Sequence, residues 1–143
     1  MNLLKLKIVT PEKLVFEEDE FTSVTLPTEN GEITILPGHI PLVSKIAPGE
    51  IIAKKKSGEE LLVTTKGFLR LNEKGEIFIL SDYAVRSEDV EIAKVEEAKK
   101  RAEATMKEKV SEKEFALAEA DLRRTLLELK VAHRKRALKE PKV

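Results

Sequence analysis

The stretch ILSDYAVRSEDVEIAKVEEAKKRAE, residues 79–103, contains the point at which the chain changes from one kind of structure to another. Before Asp82, apolar side chains recur at every second position in short bursts, which is the period of a β-strand. Residues 87–138 contain no Gly and no Pro, and they are rich in Ala, Glu, Lys, Leu and Arg, which favour helix. We therefore predict two domains, residues 1–86 and residues 87–143.

The first domain has the pattern of an all-β structure. It opens with the strictly alternating LKLKIV at residues 4–9. Turn signals follow at regular spacing, at Thr10-Pro11, Pro27, Asn30-Gly31, Pro37-Gly38, Pro48-Gly49, Ser57-Gly58, Lys66-Gly67 and Lys74-Gly75. Short strands separated by a turn every 8–12 residues or so predict an antiparallel β-sandwich or β-barrel. Within it, residues 49–82 read as a meander of hairpins.

The second domain has the pattern of two helices, predicted at residues 88–107 and 112–138. The short polar connection between them predicts an antiparallel hairpin. Ser87 is predicted to cap the first helix, and SEKE at residues 111–114 is a capping box for the second. The first helix is expected to bury Val90, Ala93 or Lys94, Ala98, Ala102, and Thr105 or Met106. The second is expected to bury Phe115, Ala118, Leu122, Leu126, Leu129, and Ala132 or His133. Because alanines stabilise a contact only weakly, we expect a loosely held hairpin.

The composition excludes several classes of protein. The 143 residues contain 26 basic and 26 acidic side chains, two histidines and no cysteine. Disulfides, a thiol nucleophile and a cysteine zinc site are therefore excluded. A nucleic-acid binder is disfavoured by the zero net charge and by the lack of aromatic residues near the basic C-terminal end. No segment has the pattern of a secretory signal or the roughly 18 apolar residues of a membrane span, so we expect a soluble, cytoplasmic chain.

His39 stands in the stretch ITILPGHIPLV, residues 33–43, between two predicted strands. It could serve as a catalytic base, as a metal ligand or as a turn residue. Pro37 fixes one backbone angle and Gly38 supplies a positive φ, which is the chemistry of a tight turn. The pattern implies no neighbouring carboxylate or nucleophile. We therefore interpret His39 as a positioning residue in a turn.

Five motifs together carry a family resemblance: IVTPEKLVF, LPTENGEITILPGHIPLVSKIAPGEI, TTKGFLRL, the junction stretch quoted above and AEADLRRTLLEL. Their order over nearly the whole length resembles the epsilon subunit of F-type ATP synthases. The resemblance implies an α+β protein in two parts, an N-terminal antiparallel β-sandwich followed by a C-terminal antiparallel two-helix hairpin. It implies a rotor subunit of the central stalk, non-catalytic itself, in a complex that translocates protons or sodium ions. Nothing in the chain reads G-x-x-x-x-G-K-[ST], the phosphate-binding loop of a nucleotide hydrolase.

The resemblance also implies partners and a location. The sandwich would couple the membrane rotor ring to the gamma subunit, with Glu32 toward the ring and His39, Pro41 and Leu42 toward gamma. The hairpin would enter the alpha/beta catalytic head and restrain ATP hydrolysis through Arg123, Arg124, Arg134 and Arg136. Solvated loops and a solvated basic helix end are the alternative interpretation of these residues. The complex would lie at the cytoplasmic face of a bacterial inner membrane, or at a plastid thylakoid, with this chain peripheral and not inserted.

No cofactor is required, and regulatory ATP is the one ligand that the resemblance admits. Residues 90–103 are similar to a nucleotide-binding signature of some family members, which implies ATP contacts at Glu91, Lys94 and Arg101. On the second helix, Arg124 matches a phosphate-facing arginine of those members and is implied as a further contact. Lys94 and Glu128 stand where arginines are typical, and only an arginine fork holds phosphate through two bonds at once. Ion pairs along a solvated helix, such as Glu97 with Arg101, are the alternative. A stand-alone ATP-sensing module is the alternative function.

Overall fold

The computed structural model describes the backbone of residues 3–139 and the side chains of residues 3–134. The chain folds into two compact units, and the boundary between them lies between Arg86 and Ser87. The first unit contains ten strands, and the second contains a 3₁₀ turn and two helices. The predicted fold class, a β-sandwich followed by a helical hairpin, is confirmed.

The ten strands form one continuous pairing path. They are β1 (Leu4–Val9), β2 (Leu14–Phe21), β3 (Ser23–Thr28), β4 (Gly31–Ile35), β5 (Leu42–Ile46), β6 (Gly49–Lys55), β7 (Gly58–Thr64), β8 (Gly67–Leu71), β9 (Glu76–Ser81) and β10 (Ala84–Arg86). The order is β10-β7-β6-β3-β5-β8-β9-β1-β2, with β4 paired to β3. β3 meets β5 only at Thr28 and Ile46. This one residue pair is the link between the strands β10, β7, β6 and β3 and the strands β5, β8, β9, β1 and β2.

Alternation along the strands builds the core. In β1, for example, Leu4, Leu6 and Ile8 are fully buried while the lysines between them face outward. The core cluster is Leu4, Leu6, Ile8, Phe16, Phe21, Val24, Leu26, Ile35, Ile46, Ile51, Ala53, Leu62, Leu69, Leu71, Ile77, Ile79 and Ala84. Each large side chain fully buried here contributes about 1.5–3 kcal/mol, so this cluster supplies most of the stability of the first unit.

Two strand pairings differ from the sequence-based expectation. β1 and β9 run parallel, with Leu6 opposite Ile77 and Ile8 opposite Ile79. The single meander predicted for residues 49–82 is wrong, because β6–β7 and β8–β9 are separate hairpins and β7 does not pair with β8. β7 pairs with β10, which follows β9 in the chain. Alternation specifies the two faces of a strand but not its neighbours across the sheet.

Charged side chains from β6 and β10 pack against the aromatic residues of β2. Lys55 Nζ donates a hydrogen bond of 2.8 Å to Glu18 Oε2, and the ammonium group lies 4.8 Å from the centre of the Phe21 ring. Arg86 lies 5.3 Å from the centre of the Phe16 ring. Both contacts combine a cation with the negative face of a ring. The Arg86 contact connects β10 with β2, the two end strands of the pairing path, and the Lys55 contact connects β6 with β2.

The pairing of Lys55 predicts a loss of stability at high pH. The hydrogen bond that Lys55 donates to Glu18 raises the pKa of Lys55, against a smaller opposing effect of desolvation. The stabilisation is therefore complete below the pKa of an unfolded lysine, about 10.4, and is lost as the pH rises through the higher pKa of the folded state. Denaturant unfolding between about pH 8 and 11.5 should show the advantage of the wild type over Lys55→Met shrinking across that window. Glu18→Gln should show the same behaviour, and an advantage that does not change with pH would contradict this role of the pair.

The second unit begins with the 3₁₀ turn Ser87–Asp89, followed by α1 (Ile92–Lys107) and α2 (Glu112–Lys139). The predicted start of the first helix at residue 88, with Ser87 as its cap, is wrong. Ser87 instead opens the turn, where its carbonyl accepts a bond from the Val90 amide at 3.4 Å, and Glu91 precedes α1 without a side-chain cap. The start of α2 is as predicted, because Ser111 Oγ accepts a bond of 3.1 Å from the Glu114 amide.

The buried faces of the helices differ in part from the predicted ones. On α1, Val95 and Ala102 are buried, whereas Ala93 is exposed. On α2 the buried residues are Ala118, Thr125, Glu128, Val131 and Ala132. The predicted core residues Phe115 and Leu126 are 40% and 46% exposed. The prediction was wrong here because it assigned the buried positions by polarity, and two of them hold Thr125 and Glu128.

Candidate functional site

One side of the β-sandwich exposes apolar residues to solvent. Val43 on β5 and Phe68 on β8 are 76% and 57% exposed, and Phe78 and Leu80 on β9 also face outward. The strand register places Phe68 opposite Leu80, and Arg70 opposite both Val43 and Phe78. These five residues therefore form one continuous surface, here called the outer face. Contiguous exposed apolar residues of this kind mark interaction sites.

The loop that contains His39 carries further exposed apolar residues. Leu36 and Ile40 are both exposed, one on either side of the turn. The His39 amide donates to the Leu36 carbonyl at 3.1 Å and Gly38 has a φ of 87°, so the segment is the predicted tight turn. His39 Nδ1 lies 2.6 Å from the Ile40 carbonyl oxygen. Since that oxygen only accepts, this nitrogen carries the proton, and the ring is held by its own backbone.

The loop and the outer face are continuous through a shallow cavity of about 440 Å³. Pro41, Leu42, Val43 and Arg70 contribute to its lining, and it is here called the loop cavity. Pro41 is exposed, while Leu42 is half-buried and pairs with Leu71. Of the residues predicted to contact gamma, Pro41 is exposed beside the outer face, Leu42 packs in part against the core, and His39 lies on the loop that leads to the outer face.

Charged side chains surround the apolar part of the outer face. A cavity of about 350 Å³, here called the lysine cavity, is lined in part by Lys5, Lys7, Arg70 and Phe78. At the other end of the face, a cavity of about 420 Å³ is lined in part by Lys45, Lys66, Phe68, Leu80 and Asp82. An apolar centre with a polar rim is the anatomy of a protein–protein interface.

Glu32 lies at the start of β4, close to the turn of the β3–β4 hairpin, and is exposed. The turn is held by Thr28, whose hydroxyl donates to the Gly31 carbonyl at 2.6 Å and accepts from the Asn30 amide at 3.2 Å. Glu32 does not line the loop cavity or the lysine cavity. Glu32 is thus exposed at a position separate from the outer face and its cavities, which is what a contact with a different partner would require.

Arg101 and Arg124, two of the predicted ATP contacts, line the same cavity between α1 and α2. This hairpin cavity has a volume of about 360 Å³, and Thr105, Glu114 and Asp121 also line it. The other two predicted contacts lie elsewhere: Glu91 and Lys94 pair with each other at 3.0 Å in an exposed position. Lys94 precedes Arg101 by seven residues, about 10 Å along the helix axis. The structure therefore brings together only half of the predicted set.

Carboxylates already surround the guanidinium of Arg124. One of its terminal nitrogens lies 3.7 Å from Asp121 Oδ1, and its Nε lies 3.9 Å from Glu128 Oε1. Glu128 is only 4% exposed. A phosphate entering the hairpin cavity would compete with these two carboxylates. Along α1, the predicted Glu97–Arg101 ion pair does not occur among the described residues, and Lys99 pairs with Glu103 at 3.9 Å.

The remaining predicted contacts to the catalytic head do not form one patch. Arg123 is exposed and pairs with Glu119 at 2.8 Å. Arg134 is half-buried, one turn of α2 beyond Val131. The side chain of Arg136 lies outside the described residues. In the described part of the hairpin, Arg123 and Arg134 therefore lie at separate positions on α2.

Comparison with known proteins identifies the family. The model described as "ATP synthase, Delta/Epsilon chain, beta-sandwich domain" matches residues 3–87. The ATP synthase epsilon chains of two Dehalococcoides mccartyi strains are 44% identical over 144 residues, which cover 100% of this chain and of theirs. The chain belongs to the ATP synthase epsilon-chain family. The family's Pediococcus pentosaceus epsilon chain is 32% identical over 134 residues, 92% of this chain and 96% of that one.

Two solved structures share the fold of this chain. A chain in the mitochondrial ATP synthase of Euglena gracilis, solved as OSCP/F1/c-ring, matches with a TM-score of 0.62 and 22% identity, over 98% of this chain and 83% of that one. A chain in the central stalk/c-ring structure from Tetrahymena thermophila matches with a TM-score of 0.55 and 15% identity, over 90% and 96%. At these identities the matches show a shared fold.

The sequence analysis missed Phe68, Arg70, Phe78 and Leu80. A signal was present, because FLRL and EIFIL place apolar residues on both sides of their strands. A strand of that kind is covered on both faces. One face of β8 and β9 covers the core, so the exposed apolar residues on the other face indicate an interaction surface. In the part of the chain that the structure describes, no helix is long and apolar enough to cross a membrane, and no cluster of three His, Asp or Glu residues is placed to hold a metal ion.

Proposed function

We propose that this member of the epsilon-chain family is a non-catalytic rotor subunit of the central stalk of a proton- or sodium-translocating F-type ATP synthase. It couples the membrane rotor ring to the gamma subunit, and its C-terminal helices restrain ATP hydrolysis by the alpha/beta catalytic head. The observation that carries the proposal is the outer face, with its continuous exposed apolar surface beside the His39 loop. Full-length similarity to ATP synthase epsilon chains supports it.

The outer face is where gamma binds in this proposal. Val43, Phe68 and Phe78 lose their contact with water when gamma covers them, and each contributes up to about 1.5–3 kcal/mol. The His39 loop, which carries the exposed Leu36 and Ile40, extends the contact. The rigid sheet beneath these side chains suits a part that transmits torque, because strands β5, β8 and β9 hold them in a fixed arrangement.

The other parts of the chain serve the remaining partners. Glu32, exposed near the tip of the β3–β4 hairpin, contacts the polar loops of the rotor ring. Arg123, Arg124, Arg134 and Arg136 on the second helix contact acidic residues of the catalytic head. Attraction of this kind weakens with salt, over a Debye length of about 8 Å at physiological ionic strength. The complex lies at the cytoplasmic face of a bacterial inner membrane, with this chain peripheral to the bilayer.

The proposed gamma contact is tested by placing a charge in the outer face. Leu80→Glu should weaken binding to gamma at least about 100-fold, because its register neighbours Phe68 and Val9 are apolar and burying an unpaired carboxylate costs about 3 kcal/mol or more. Leu80 is 45% exposed in the free chain, so the fold should tolerate the change. Titration calorimetry with purified gamma measures the effect, and Ser57→Glu, at the exposed β6–β7 turn, is the control. Equal affinities for Leu80→Glu, Ser57→Glu and the wild type would contradict the proposal.

A second candidate function, a stand-alone ATP sensor, is favoured by one observation: Arg101 and Arg124 share the hairpin cavity. Calorimetry of the isolated chain with ATP should then give saturable heat that disappears in Arg101→Ala/Arg124→Ala. Arg123→Ala is the matched control, because Arg123 pairs with Glu119 and does not line the cavity. Absence of heat at millimolar ATP would refute this candidate and leave the first proposal intact.

A further inference from the structure

Arg70 occupies the centre of the outer face without a partner of its own. It lies between Val43 on one neighbouring strand and Phe78 on the other, and its side chain is exposed. Adjacent strands are about 4.8 Å apart, so a surface that covers both apolar neighbours also covers the guanidinium. In the described part of the chain Arg70 forms no salt bridge.

The nearby carboxylates are already engaged or directed elsewhere. Glu17 pairs with Lys7 at 3.4 Å, and Glu76 accepts a bond of 3.0 Å from the Asn72 side chain. Glu73, which lines the loop cavity with Arg70, is exposed and does not pair with it. Removing the water around a guanidinium costs several kcal/mol when no anion takes its place. The cost is avoided if the covering surface brings its own carboxylate.

Arg70 also separates two cavities. It lines both the loop cavity, with Pro41 and Val43, and the lysine cavity, with Lys7 and Phe78. Apolar side chains of a partner can therefore enter on either side of the guanidinium. Buried anchors around a central arginine are the usual composition of a binding hot spot.

We propose that the outer face recognises a partner segment that carries apolar side chains on both sides of a carboxylate, and that Arg70 binds this carboxylate through two parallel hydrogen bonds. The inference rests on the proposed function, which supplies gamma as the partner. A planar guanidinium matches a carboxylate with two bonds, whereas a lysine makes a single point contact. Arg70 thus gives the apolar face its specificity and fixes its register.

Binding of gamma to three variants tests the assignment by calorimetry at low and physiological salt. Arg70→Met, which keeps the apolar stem, should weaken binding about 10- to 100-fold and reduce the salt dependence. Arg70→Lys should lie between Arg70→Met and the wild type. Arg70→Glu should bind most weakly, and a single Asp or Glu of gamma changed to Arg should restore it. Lys56→Met, at the exposed β6–β7 turn outside the outer face, is the control and should change binding less than about threefold.

The outcomes separate this inference from the proposed function. If Leu80→Glu abolishes binding while Arg70→Met binds like the wild type with an unchanged salt dependence, the carboxylate inference is overturned and the gamma contact stands. If neither variant changes the affinity, both are overturned. Thermal unfolding of Arg70→Met should match the wild type, because Arg70 is exposed in the free chain. A variant that unfolds early would place Arg70 in the structure of the sheet and also overturn the inference.

Discussion

A chain truncated after Arg86 is expected to fold, and a catalytic head assembled with it is expected to hydrolyse ATP about fivefold faster or more. Every member of the sandwich core cluster lies between Leu4 and Ala84, so the truncation removes none of it. The helices, by contrast, carry the arginines proposed to contact the catalytic head. Thermal unfolding of the truncated chain and steady-state hydrolysis by the assembled head measure the two effects.

The comparison of hydrolysis rates requires that the truncated chain and the full-length chain occupy the catalytic head to the same extent. The amounts of truncated and full-length chain retained in the head must be compared, because loss of the chain would also alter hydrolysis. A truncated chain that melts without a cooperative transition would refute the two-domain organisation. A head that retains the truncated chain and hydrolyses ATP at the full-length rate would remove the inhibitory role of the helices.

Gly67→Ala is expected to destabilise the β domain by about 3 kcal/mol or more. Gly67 pairs with Ser81 where β8 and β9 approach each other closely. A methyl group on Gly67 would overlap the carbonyl oxygen of Leu80 and lie 2.8 Å from the Cα of Ser81. These are backbone atoms, so they can move away only if the two strands separate. Denaturant unfolding of the variant measures the loss.

Gly38→Ala is the matched control for this prediction. Gly38 has a φ of 87°, but an added methyl group would meet no atom within 4 Å. It should therefore cost only the penalty of a left-handed residue, about 1–2 kcal/mol. If Gly67→Ala were no more destabilising than Gly38→Ala, the close approach of β8 and β9 would be wrong. Because β8 and β9 carry four of the five outer-face residues, we also expect Gly67→Ala to weaken gamma binding.

Local features of the fold could be predicted from the sequence because neighbouring residues determine them. The turn at Pro37-Gly38 and the Ser111 cap of α2 both depend on residues within one turn of each other. The parallel pairing of β1 with β9 could not be predicted, because it joins strands separated by most of the domain. Glu20, with a φ of 69° in β2, was equally hidden, since nothing about a glutamate indicates that conformation.

The candidate site was predicted only where the residues themselves carry the signal. The His39 loop was found from its turn chemistry, whereas the outer face requires knowing that β5, β8 and β9 are neighbours. Ser87 illustrates the opposite failure: a serine before an acidic pair fits a helix cap, but a 3₁₀ turn takes the same residues. The hairpin cavity could not be predicted from the sequence either, because only the pairing of α1 with α2 brings Arg101 and Arg124 to the lining of one cavity.

Cysteine protection tests the central claim, that gamma covers the outer face, most directly. The chain contains no cysteine, so a single one at Val43 reports on one position. Val43→Cys should react readily with a maleimide in the free chain and should be protected when purified gamma is bound, while Ser57→Cys on the β6–β7 turn should react equally in both states. Equal reactivity of Val43→Cys with and without bound gamma would contradict the account.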